Sequence, residues 1–409
     1  MPLSVLMLVA SEDDGGMARV VHLLASNLSS FDIRVHVAVH REAPLTDWLR
    51  QAAVPNTVLP TLIETPTRRR DDGATGLRAS LENLAGLPSA VRAVRTLAAA
   101  VHADVIYSHN TWSHYVAAIA AALPGLKPRP TTAPEAVRPA VVWHIHNDHS
   151  HRATRALDRL AARIGSVGAV LAVSDSIGAP FRNRPAPLTV VTNGIDIGAC
   201  DRARREPGLR AALGLGASSV VAVYAGRLVP HKGIHVLLEA ARIAVAQVPE
   251  LHVAVLGGTP RHAPNDVLAG LRNSVNAWRL GTRIHFLGHV ADAQRYVADA
   301  DIALIPSVCA DGYPLAAVEA LCLGVPVIAS DVGGLPQLVR DGVDGLLFPP
   351  GDARALADAL VSLARDPQRR HCMSQAAEAG RHRFDATTMA RRVAEALHRA
   401  AGRRMAAAG

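Results

Sequence analysis

The stretch VVAVYAGRLVPHKGIHVLLEAARIAV, residues 220–245, indicates the fold class of this chain of 409 residues most clearly. It begins with a short apolar run, passes through a turn that contains glycine, arginine and lysine, and continues from Ile234 with apolar residues at helical spacing. Short apolar runs between such turns are typical of strands that are buried on both faces of a parallel sheet. The stretch therefore predicts a strand, a loop and a helix in succession, the unit from which α/β folds are built.

The same unit recurs along the chain. The first half contains the apolar runs Val5–Val9, Val35–Val39, Val105–Tyr107, Val141–Ile145, Val170–Val173 and Leu188–Val191. The second half contains Val220–Tyr224, His252–Leu256, Arg283–Leu287, Ile302–Ile305, Val325–Ala329 and Gly345–Phe348. Helical spacing is found between them, for example over Val20–Leu28, Ser89–Val101, Ile234–Val248, Leu315–Leu323 and Ala353–Ala364. This alternation predicts a doubly wound parallel sheet in each half.

The chain is long enough for two such domains. Glycine and proline interrupt both the strand pattern and the helix pattern over residues 194–218. We therefore expect a first domain over residues 1–195 and a second over residues 215–384. We expect the C-terminal helix, at about residues 385–402, to pack back on the first domain. Residues 65–75 and 124–139 are predicted to be surface excursions. In open α/β sheets ligands bind beyond the carboxyl ends of the strands, so the loops at those ends are the candidates for chemistry.

Composition excludes several classes of protein. Hydrophobic residues make up 49% of the chain and charged residues 19%, which argues against disorder, and no apolar run approaches the ~20 residues that cross a bilayer. Aromatic residues make up 3%, too few for the base stacking that nucleic-acid binding uses, so we expect no nucleic-acid partner. The apolar run Leu3–Ala10 has no basic residues before it and reads as a strand, not a signal peptide, so we expect a cytoplasmic protein.

The charge of the chain is carried by arginine. The formal net charge is +8, all but two of the 43 basic residues are arginine, and residues 365–409 are especially rich in it. An excess of basic residues favours an anionic partner. The arginine-rich residues 365–409 would suit peripheral contact with an acidic membrane surface. Four cysteines lie far apart in the sequence and predict free thiols, not a disulfide frame or a zinc site.

The first chemical motif is the loop between residues 225 and 233. Arg227 and Lys232 follow the strand Val220–Tyr224 and precede a helix N-terminus, where backbone amides already favour anions. Two cations there can hold a diphosphate and neutralise the charge of a leaving one. The loop is not a P-loop, because His231 stands where that motif needs glycine.

The second motif is the stretch DGYPLAAVE, residues 311–319, after the strand Ile302–Ile305. Asp311 is expected in a loop, where Gly312 lets backbone amides approach a ligand, and Glu319 is expected inside the following helix. Ionised carboxylates accept hydrogen bonds from the hydroxyl groups that sugars and riboses offer. A carboxylate within an otherwise apolar helix is costly to bury without partners, which favours a role for Glu319.

A pair of glycines after the first strand is a weaker signal. Gly15 and Gly16 follow the first strand and permit a tight turn with close approach of a phosphate, but such a turn needs glycine for its geometry in any case. The GxGxxG signature of dinucleotide-binding enzymes is missing from every strand-to-helix turn of the sequence.

Histidines cluster in the first half, at His109, His114, His144, His146, His149 and His151. His109 and His146 each follow a strand, and we expect a hydrogen-bonding or proton-shuttling role for His146. The spacing fits no common zinc pattern, so we assign no metal site and no required cofactor.

Together these residues resemble the retaining glycosyltransferases of family 4, which have the GT-B fold. The resemblance is carried by GRLVPHKG (226–233), FLGHV (286–290), DGYPLAAVE (311–319), DVGGLP (331–336), DGVDGLL (341–347), and NGID (193–196). Asp311, Asn147, His231 and Gln337 depart from the residues usual in that family. The resemblance implies two Rossmann-like domains that face each other across a cleft, an N-terminal one for the acceptor and a C-terminal one for a nucleotide-sugar donor.

The resemblance also implies roles for individual residues. The predicted catalytic set is His146, Arg227, Lys232 and Asp311. The predicted donor-binding set is Gly15, Gly16, Arg227, Lys232, His289, Val290, Asp311, Gly312, Tyr313, Pro314, Leu315 and Glu319. His109 and Asn147 are acceptor-side candidates.

The activity that this implies is hexosyl transfer, with retention of configuration, from a nucleotide sugar to a hydroxyl of a carbohydrate, a cyclitol, another small polar acceptor or a lipid-linked one. UDP-sugars are the first choice of donor, with GDP- and ADP-sugars as alternatives. Two other functions stay open at this stage. One is a nucleotide-sugar epimerase or hydrolase of the same fold, and the other is a nucleotide-sugar binding module with a degenerate site.

Overall fold

The computed structural model describes residues 1–10, 15–62, 76–124, 138–147, 152–164, 167–200, 208–259, 267–290 and 292–402. The excursion predicted at residues 65–75, most of that predicted at 124–139, and His149 and His151 lie outside these residues. The chain divides into two compact units, residues 1–193 together with 386–409, and residues 194–385.

The first unit is built on a sheet of seven parallel strands. These are β1 (Leu3–Val9), β2 (Ile33–Val39), β3 (Asn56–Val58), β4 (Val105–Ser108), β5 (Ala140–Ile145), β6 (Val167–Ala172) and β7 (Leu188–Val190), in the order β3-β2-β1-β4-β5-β6-β7. Its helices are α1 (Gly16–Asn27), α2 (Pro44–Gln51), α3 (Gly76–Ala100), α4 (Thr111–Ala122), α5 (Arg152–Ile164) and α6 (Asp175–Gly178). Short 3₁₀ turns cover Leu28–Phe31, Pro60–Leu62 and Ala179–Phe181.

The centre of this sheet is formed by β1 and β4, which lie side by side with Val5 opposite Val105. Every residue of β1 is buried, as expected for a strand covered on both faces. The strand order runs outward in both directions from this pair, so the loops that follow β1 and β4 separate and leave a crevice at the carboxyl edge.

The second unit repeats this plan with six parallel strands. These are β8 (Val220–Ala225), β9 (Leu251–Leu256), β10 (Ile284–Gly288), β11 (Ile302–Ile305), β12 (Val327–Ser330) and β13 (Gly345–Phe348), in the order β10-β9-β8-β11-β12-β13. Its helices are α7 (Leu209–Leu213), α8 (Ile234–Val245), α9 (Val267–Ala277), α10 (Ala293–Ala298), α11 (Leu315–Cys322), α12 (Leu335–Leu338), α13 (Ala353–Arg365) and α14 (Pro367–Ala379). In the described part of this unit, 3₁₀ turns cover Pro230–Lys232 and Arg381–Phe384.

The core of the second unit lies between its sheet and helices α8 and α13. Leu237 of α8, Leu360 of α13 and Val253 of β9 are fully buried in one hydrophobic cluster. Burial of each such side chain contributes roughly 1.5–3 kcal/mol of transfer free energy. This core holds the strands rigidly and so fixes the loops at their carboxyl ends.

The last helix, α15 (Ala386–Ala400), belongs to the first unit. It packs against α1, β5 and β6, and His398 Nε2 lies 3.1 Å from the carbonyl oxygen of Phe31. None of the helices in the described ranges has both the length and the apolar character needed to cross a membrane.

The predicted fold class is confirmed, and each of the twelve predicted apolar runs contains or overlaps a strand. Two details differ from the prediction. Strand β3 was not predicted, because three residues give too short a run to show a period. The helix predicted at Ser89–Val101 begins at Gly76 and runs through Pro88, although proline lacks the amide that an α-helix uses.

Candidate functional site

In the second unit the crevice lies between β8 and β11, the neighbouring strands from which the order runs outward. Arg227 and Lys232 lie in the segment that follows β8, and Asp311 lies in the segment that follows β11. Because the two strands are adjacent and parallel, their carboxyl ends carry these segments to the same edge of the sheet.

Lys232 and Asp311 are in direct contact there. The ammonium Nζ of Lys232 lies 2.5 Å from Oδ2 of Asp311, and the hydroxyl of Ser307 donates to the same oxygen at 3.0 Å. The exposed fractions of the two charged side chains are 25% and 15%, so the pair is only partly open to water. Two residues that the sequence placed in separate motifs, 79 positions apart, thus form one charged centre.

Glycines allow the loops to approach so closely. Gly233 has a φ of 72°, and a Cβ atom there would lie 1.7 Å from the carbonyl oxygen of Pro306. Gly333 has a φ of 66°, and its Cβ would lie 2.3 Å from the backbone oxygen of Asp311. Only glycine adopts both the left-handed conformation and this contact without displacement of the backbone. Gly233 therefore fixes the conformation of the loop that carries Lys232, and Gly333 allows close packing against the loop that carries Asp311.

The loops after β8, β9 and β10 are joined by backbone hydrogen bonds. The amide of Leu228 donates to Gly258 O at 3.0 Å, and the amide of Gly257 donates to Gly288 O at 2.7 Å. The donor-site candidates His289, which is exposed, and Val290, which is half-buried, follow directly after Gly288. The three loops therefore form one continuous rim along this edge of the sheet.

Arg227 is exposed in the same rim. The hydroxyl of the buried Tyr224 donates to the backbone oxygen of Arg227 at 2.7 Å, which fixes the turn. Burial raises the pKa of Tyr224 well above its usual range, the negative charge of Asp311 raises it further, and the positive charge of Arg227 opposes that shift. The charges of Asp311 and Arg227 thus both influence Tyr224, which places these two residues in one electrostatic environment.

Glu319 lies in the interior of helix α11 and is only 7% exposed. Its Oε1 accepts a hydrogen bond of 3.0 Å from the side-chain amide of Gln294 on α10. The predicted site residues Gly312 and Tyr313 are buried just before this helix, Pro314 is its N-cap residue, and Leu315 is its first residue. The carboxylate of Glu319 is therefore a buried acceptor held in place by a neighbouring helix.

In the first unit the predicted glycines lie at the start of α1. Gly15 is the N-cap residue of that helix and Gly16 is its first residue. At the end of β1, the amide of Ala10 donates to Oδ1 of Asn110 at 3.0 Å, which ties the β1 and β4 ends together. The structure thus places the glycine pair at a strand-to-helix turn.

Three histidines come together at the carboxyl edge of this first sheet. His109 follows β4, while His144 lies near the end of β5 and His146 just beyond it. His109 Nδ1 lies 3.1 Å from His146 Nε2, and His144 Nδ1 lies 2.6 Å from the hydroxyl of Tyr107. Asn147, the other acceptor-side candidate, is exposed.

Burial keeps these three imidazoles uncharged. It lowers the pKa of His109 and of His144 well below the usual value, and the neighbouring histidines lower both further. It lowers the pKa of His146 to about 3. His146 is therefore a neutral ring near pH 7, able to accept one hydrogen bond and to donate another.

Several residues of these sites were not predicted from sequence. Ser307 and Gln294 hold the two carboxylates of the second unit, but a single serine and a single glutamine carry no pattern. Gly257 had a readable signal, because the pair Gly257-Gly258 follows a strand as Gly15-Gly16 does. The expectation of no metal-ligand group came from spacing along the chain, and the structure brings His109, His144 and His146 together in spite of that spacing.

Comparison with known protein families assigns each half of the chain. The family described as Glycosyltransferase Family 4 matches residues 14–198. The family described as Glycosyl transferases group 1 matches residues 219–366. The first range covers most of the first unit and ends just inside the second, the other range lies within the second unit, and together they contain all of the predicted site residues.

Curated relatives agree with this assignment over part of their length. A D-inositol 3-phosphate glycosyltransferase of Nocardioides is 36% identical over 187 residues, 43% of this chain and 40% of that protein. The protein of the same name from Rhodococcus jostii is 36% identical over 222 residues, 51% of this chain and 46% of that protein. The matched region therefore spans less than half the length of these relatives.

Solved structures match over nearly the whole chain. The structure of Anabaena HepE in complex with UDP is 25% identical, with 97% of this chain and 100% of that chain covered and a TM-score of 0.76. Sucrose-phosphate synthase from Thermosynechococcus elongatus, at 20% identity, covers 97% of this chain with a TM-score of 0.74 and shares the fold. The architecture of two doubly wound parallel sheets, the family matches and these likenesses agree, and the chain belongs to the group 1 glycosyl transferases, glycosyltransferase family 4.

Proposed function

We propose that the chain is a retaining hexosyltransferase that moves a sugar from a nucleotide-diphosphate sugar to a hydroxyl group of a carbohydrate, a cyclitol or another small polar acceptor. The observation that carries this proposal is the contact of Lys232 with Asp311 at the crevice of the second sheet, with Arg227 in the same rim. The second unit is then the donor-binding unit, and the first is the acceptor-binding unit.

The two cations are proposed to hold the donor diphosphate. Phosphate oxygens form charge-assisted hydrogen bonds with arginine and lysine, and a carboxylate cannot share those positions without repulsion. Donor binding then moves the ammonium of Lys232 from Asp311 to the diphosphate. Asp311, released from that ion pair but still bonded to Ser307, becomes an acceptor for sugar hydroxyls.

The nucleoside is proposed to lie along the same rim. Glu319, a buried acceptor beside the crevice, suits the ribose hydroxyls, and the segment from Gly312 to Leu315 offers backbone amides to the sugar. His289 and Val290 are proposed to contact the base. UDP is our first choice because HepE, at 25% identity over the whole chain, was solved with UDP, while GDP and ADP remain alternatives for the test.

Transfer with retention breaks the bond between the anomeric carbon and the diphosphate oxygen, and the nucleoside diphosphate departs with the electron pair. The acceptor oxygen forms the new bond on the same face, and its proton passes to an oxygen of the departing phosphate. Arg227 and Lys232 would stabilise the charge that develops there. His146 is proposed to act near the reacting carbon as a neutral hydrogen-bonding group, in keeping with its pKa of about 3.

The acceptor proposal is supported by the polar edge of the first sheet, where His109, His146 and Asn147 offer hydrogen bonds. The relatives named for inositol 3-phosphate transfer match over less than half their length, so their acceptor is one candidate among several. A lipid-linked acceptor is a further candidate, because the arginine-rich residues 365–409 would suit an acidic membrane surface.

The test begins with the full chain and UDP, GDP and ADP, each measured by its effect on the melting temperature and by calorimetry. A ligand that binds only the native state raises that temperature. We expect UDP to bind, and Lys232→Ala to weaken its binding by at least about tenfold, since hydrogen bonds to charged groups contribute ~1.5–3 kcal/mol. Arg242→Ala is the matched control, because Arg242 is an exposed cation on α8 that forms an ion pair with Glu239 and a cation–π contact with Trp278.

The second step follows UDP-glucose with acceptor panels of sugars, cyclitols and cyclitol phosphates. Formation of an α-linked product from an α-linked donor supports the proposal. Release of free glucose or conversion of the donor without an acceptor would instead support a hydrolase or an epimerase. Tight binding of nucleotide sugars with no turnover on any panel would support a binding module and contradict the proposed transfer.

A further inference from the structure

The three-histidine cluster of the first unit has a geometry that the hydrogen-bonding roles proposed for His109 and His146 do not explain. His109, His144 and His146 each offer one ring nitrogen, and these nitrogens all lie within 4.8 Å of one another. They are carried by the adjacent strands β4 and β5, whose pairing places Ser108 opposite Trp143 and so fixes the strand ends that carry the rings. His144 lies within β5, and His109 and His146 are the residues directly after β4 and β5, so the cluster is anchored at the ends of two paired strands.

Two rings of the cluster are buried without complete hydrogen bonding. His109 is 1% exposed and His144 is 0% exposed, and within the described residues the Nε2 atom of each has no hydrogen-bond partner. A buried polar atom without a partner costs roughly 1–3 kcal/mol. For His144 the unpartnered atom is the nitrogen that the contact with Tyr107 leaves over, so this ring presents a buried, available nitrogen to a ligand.

We propose that His109, His144 and His146 form a binding site for a divalent transition-metal ion with a preference for imidazole, represented by Zn²⁺. Three imidazoles are an established ligand set for zinc and leave a fourth position open for an oxygen ligand. The expectation from sequence was that no metal binds, and this proposal replaces it on the ground of the geometry.

The closest pair of ring nitrogens has the spacing that one shared ion requires, and the third ring offers a nitrogen within 4.8 Å of both. Two nitrogens bound to the same tetrahedral zinc, each at about 2.0–2.1 Å, lie about 3.3 Å apart. His109 Nδ1 and His146 Nε2 lie 3.1 Å apart. A neutral hydrogen bond between the two rings has the same spacing, and titration with a metal ion distinguishes the two arrangements.

One of the three histidines already has a hydrogen-bond partner on the nitrogen that would face away from the metal. The hydroxyl of the buried Tyr107 lies 2.6 Å from His144 Nδ1, which leaves Nε2 of that ring for a ligand. Metal-bound histidines usually have their other nitrogen bonded in this way, and loss of such a partner typically weakens metal binding by 10–100-fold.

The ion would have a direct chemical consequence. It would use a nitrogen lone pair of His146 and would offer its open position to water, to a hydroxyl group or to a phosphate oxygen. The binding site itself does not depend on the proposed transfer activity, so the experiment uses metal binding as its readout.

The experiment uses the full chain without a polyhistidine tag, freed of metal with a chelator and then titrated with Zn²⁺ by calorimetry. We expect one ion per chain. His144→Ala should weaken that binding by at least 100-fold, and Tyr107→Phe, which keeps all three ligands, should weaken it by about 10-fold. With Co²⁺ as the probe, the bound ion should give the intense visible bands of a tetrahedral site, and those bands should be lost in His144→Ala.

The matched control is His285→Ala. His252 and His285 form another close histidine pair, with ring nitrogens 3.2 Å apart, in the second unit. Loss of that pair should leave zinc binding unchanged, and Mg²⁺, which prefers oxygen ligands, should not displace the zinc.

Three outcomes would overturn the proposal. They are no zinc bound by the wild-type chain, displacement of zinc by Mg²⁺, or equal binding in the wild type and in His144→Ala. If His144→Ala does not fold, as judged by circular dichroism, the wild-type titration and the competition with Mg²⁺ still decide.

Discussion

At the scale of single residues, the charged centre of the second unit depends on backbone conformation as much as on charge. Lys232 reaches Asp311 because the next residue, Gly233, turns the chain at a φ of 72° under the carbonyl of Pro306. Side chains at such a φ cost about 1–2 kcal/mol, and a side chain that also meets a backbone oxygen forces the loop to move. The glycine is therefore a structural requirement of the site.

This requirement predicts the effect of Gly233→Ala. The new Cβ would lie 1.7 Å from the oxygen of Pro306, so we expect the substitution to lower the free energy of unfolding by more than about 3 kcal/mol. The measurement is urea unfolding of the full chain. Gly214→Ala is the control, because Gly214 has a φ of 65° with no atom within 4 Å of its Cβ position, and it should cost only about 1 kcal/mol. Equal losses in the two variants would show that conformation alone, and not the contact with Pro306, matters.

The residue scale also shows what sequence can and cannot predict. Arg227, Lys232, Asp311 and Glu319 could be selected as candidates from sequence, because each follows a strand or interrupts an apolar helix. The pairing of Lys232 with Asp311 was not readable, since it depends on β8 and β11 being neighbours. The contact between His109 and His146 was not predicted for the same reason, because these residues meet only through the pairing of β4 with β5.

At the scale of secondary-structure elements, α10 and α11 act together at the site. Gln294 of α10 donates to the buried carboxylate of Glu319 on α11, and the thiol of Cys200 lies 3.9 Å from the side-chain oxygen of Gln294. Glu319 is itself proposed to bind the ribose, so the amide of Gln294 positions that carboxylate without touching the donor.

This arrangement predicts that Gln294→Ala weakens nucleotide binding. Loss of one hydrogen bond to a charged group costs about 1.5 kcal/mol or more, so we expect roughly tenfold weaker UDP binding by calorimetry. Gln247→Ala is the control, since Gln247 is an exposed glutamine after α8 whose amide contacts only a backbone carbonyl at 3.4 Å among the bonds of the described residues. Unchanged affinity in Gln294→Ala would remove the positioning role.

A buried carboxylate also joins two segments of the second unit. Asp344, which is fully buried before β13, accepts hydrogen bonds from Arg340 Nε at 2.7 Å and from Arg383 of the 3₁₀ turn before α15. A buried ion pair that loses one partner leaves an uncompensated charge, which typically costs 3–5 kcal/mol. Arg340 and Arg383 keep some contact with water, so the low end of that range applies here.

We therefore expect Asp344→Asn to lower the unfolding free energy by about 3 kcal/mol, measured by urea denaturation. Asp358→Asn is the matched control, because Asp358 and its partner Arg354 on α13 are 57% and 70% exposed. An exposed pair of this kind contributes less than about 1 kcal/mol. A loss of the same size in both variants would contradict the role assigned to Asp344.

The elements themselves were the most predictable part of the chain. Long apolar strands such as β1 and β9 were found from their runs, because a strand buried on both faces needs apolar residues throughout. The edge strand β3 and the start of α3 were missed, since edge strands are short and since Pro88 resembles a helix boundary. Local sequence patterns therefore predict the buried central strands well, and they predict edge strands and helix boundaries less accurately.

At the scale of the whole molecule, the chain does not divide at a single point. The first unit is completed by α15, which comes after the whole of the second unit in the sequence. The buried side chains of α15 include Met389, Val393 and Leu397, and the Cβ of Ala400 would lie 3.5 Å from a Cβ placed on Gly168 of β6. The first unit thus takes part of its core from the end of the chain.

This arrangement predicts that a chain ending at Asp385 has a damaged first unit and an intact second one. Burial of Met389, Val393 and Leu397 contributes about 5–9 kcal/mol, which is comparable with the whole stability of a domain. Hydrogen–deuterium exchange should therefore show faster exchange in α1 and β6, which contact α15, while β8 and β9 stay protected. A chain ending at Gly402, which keeps all of α15, is the control and should exchange like the full chain. Protection of α1 and β6 in the shorter chain would mean that the first unit holds its core without α15, and equal loss of protection in β8 would mean that the two units unfold as one.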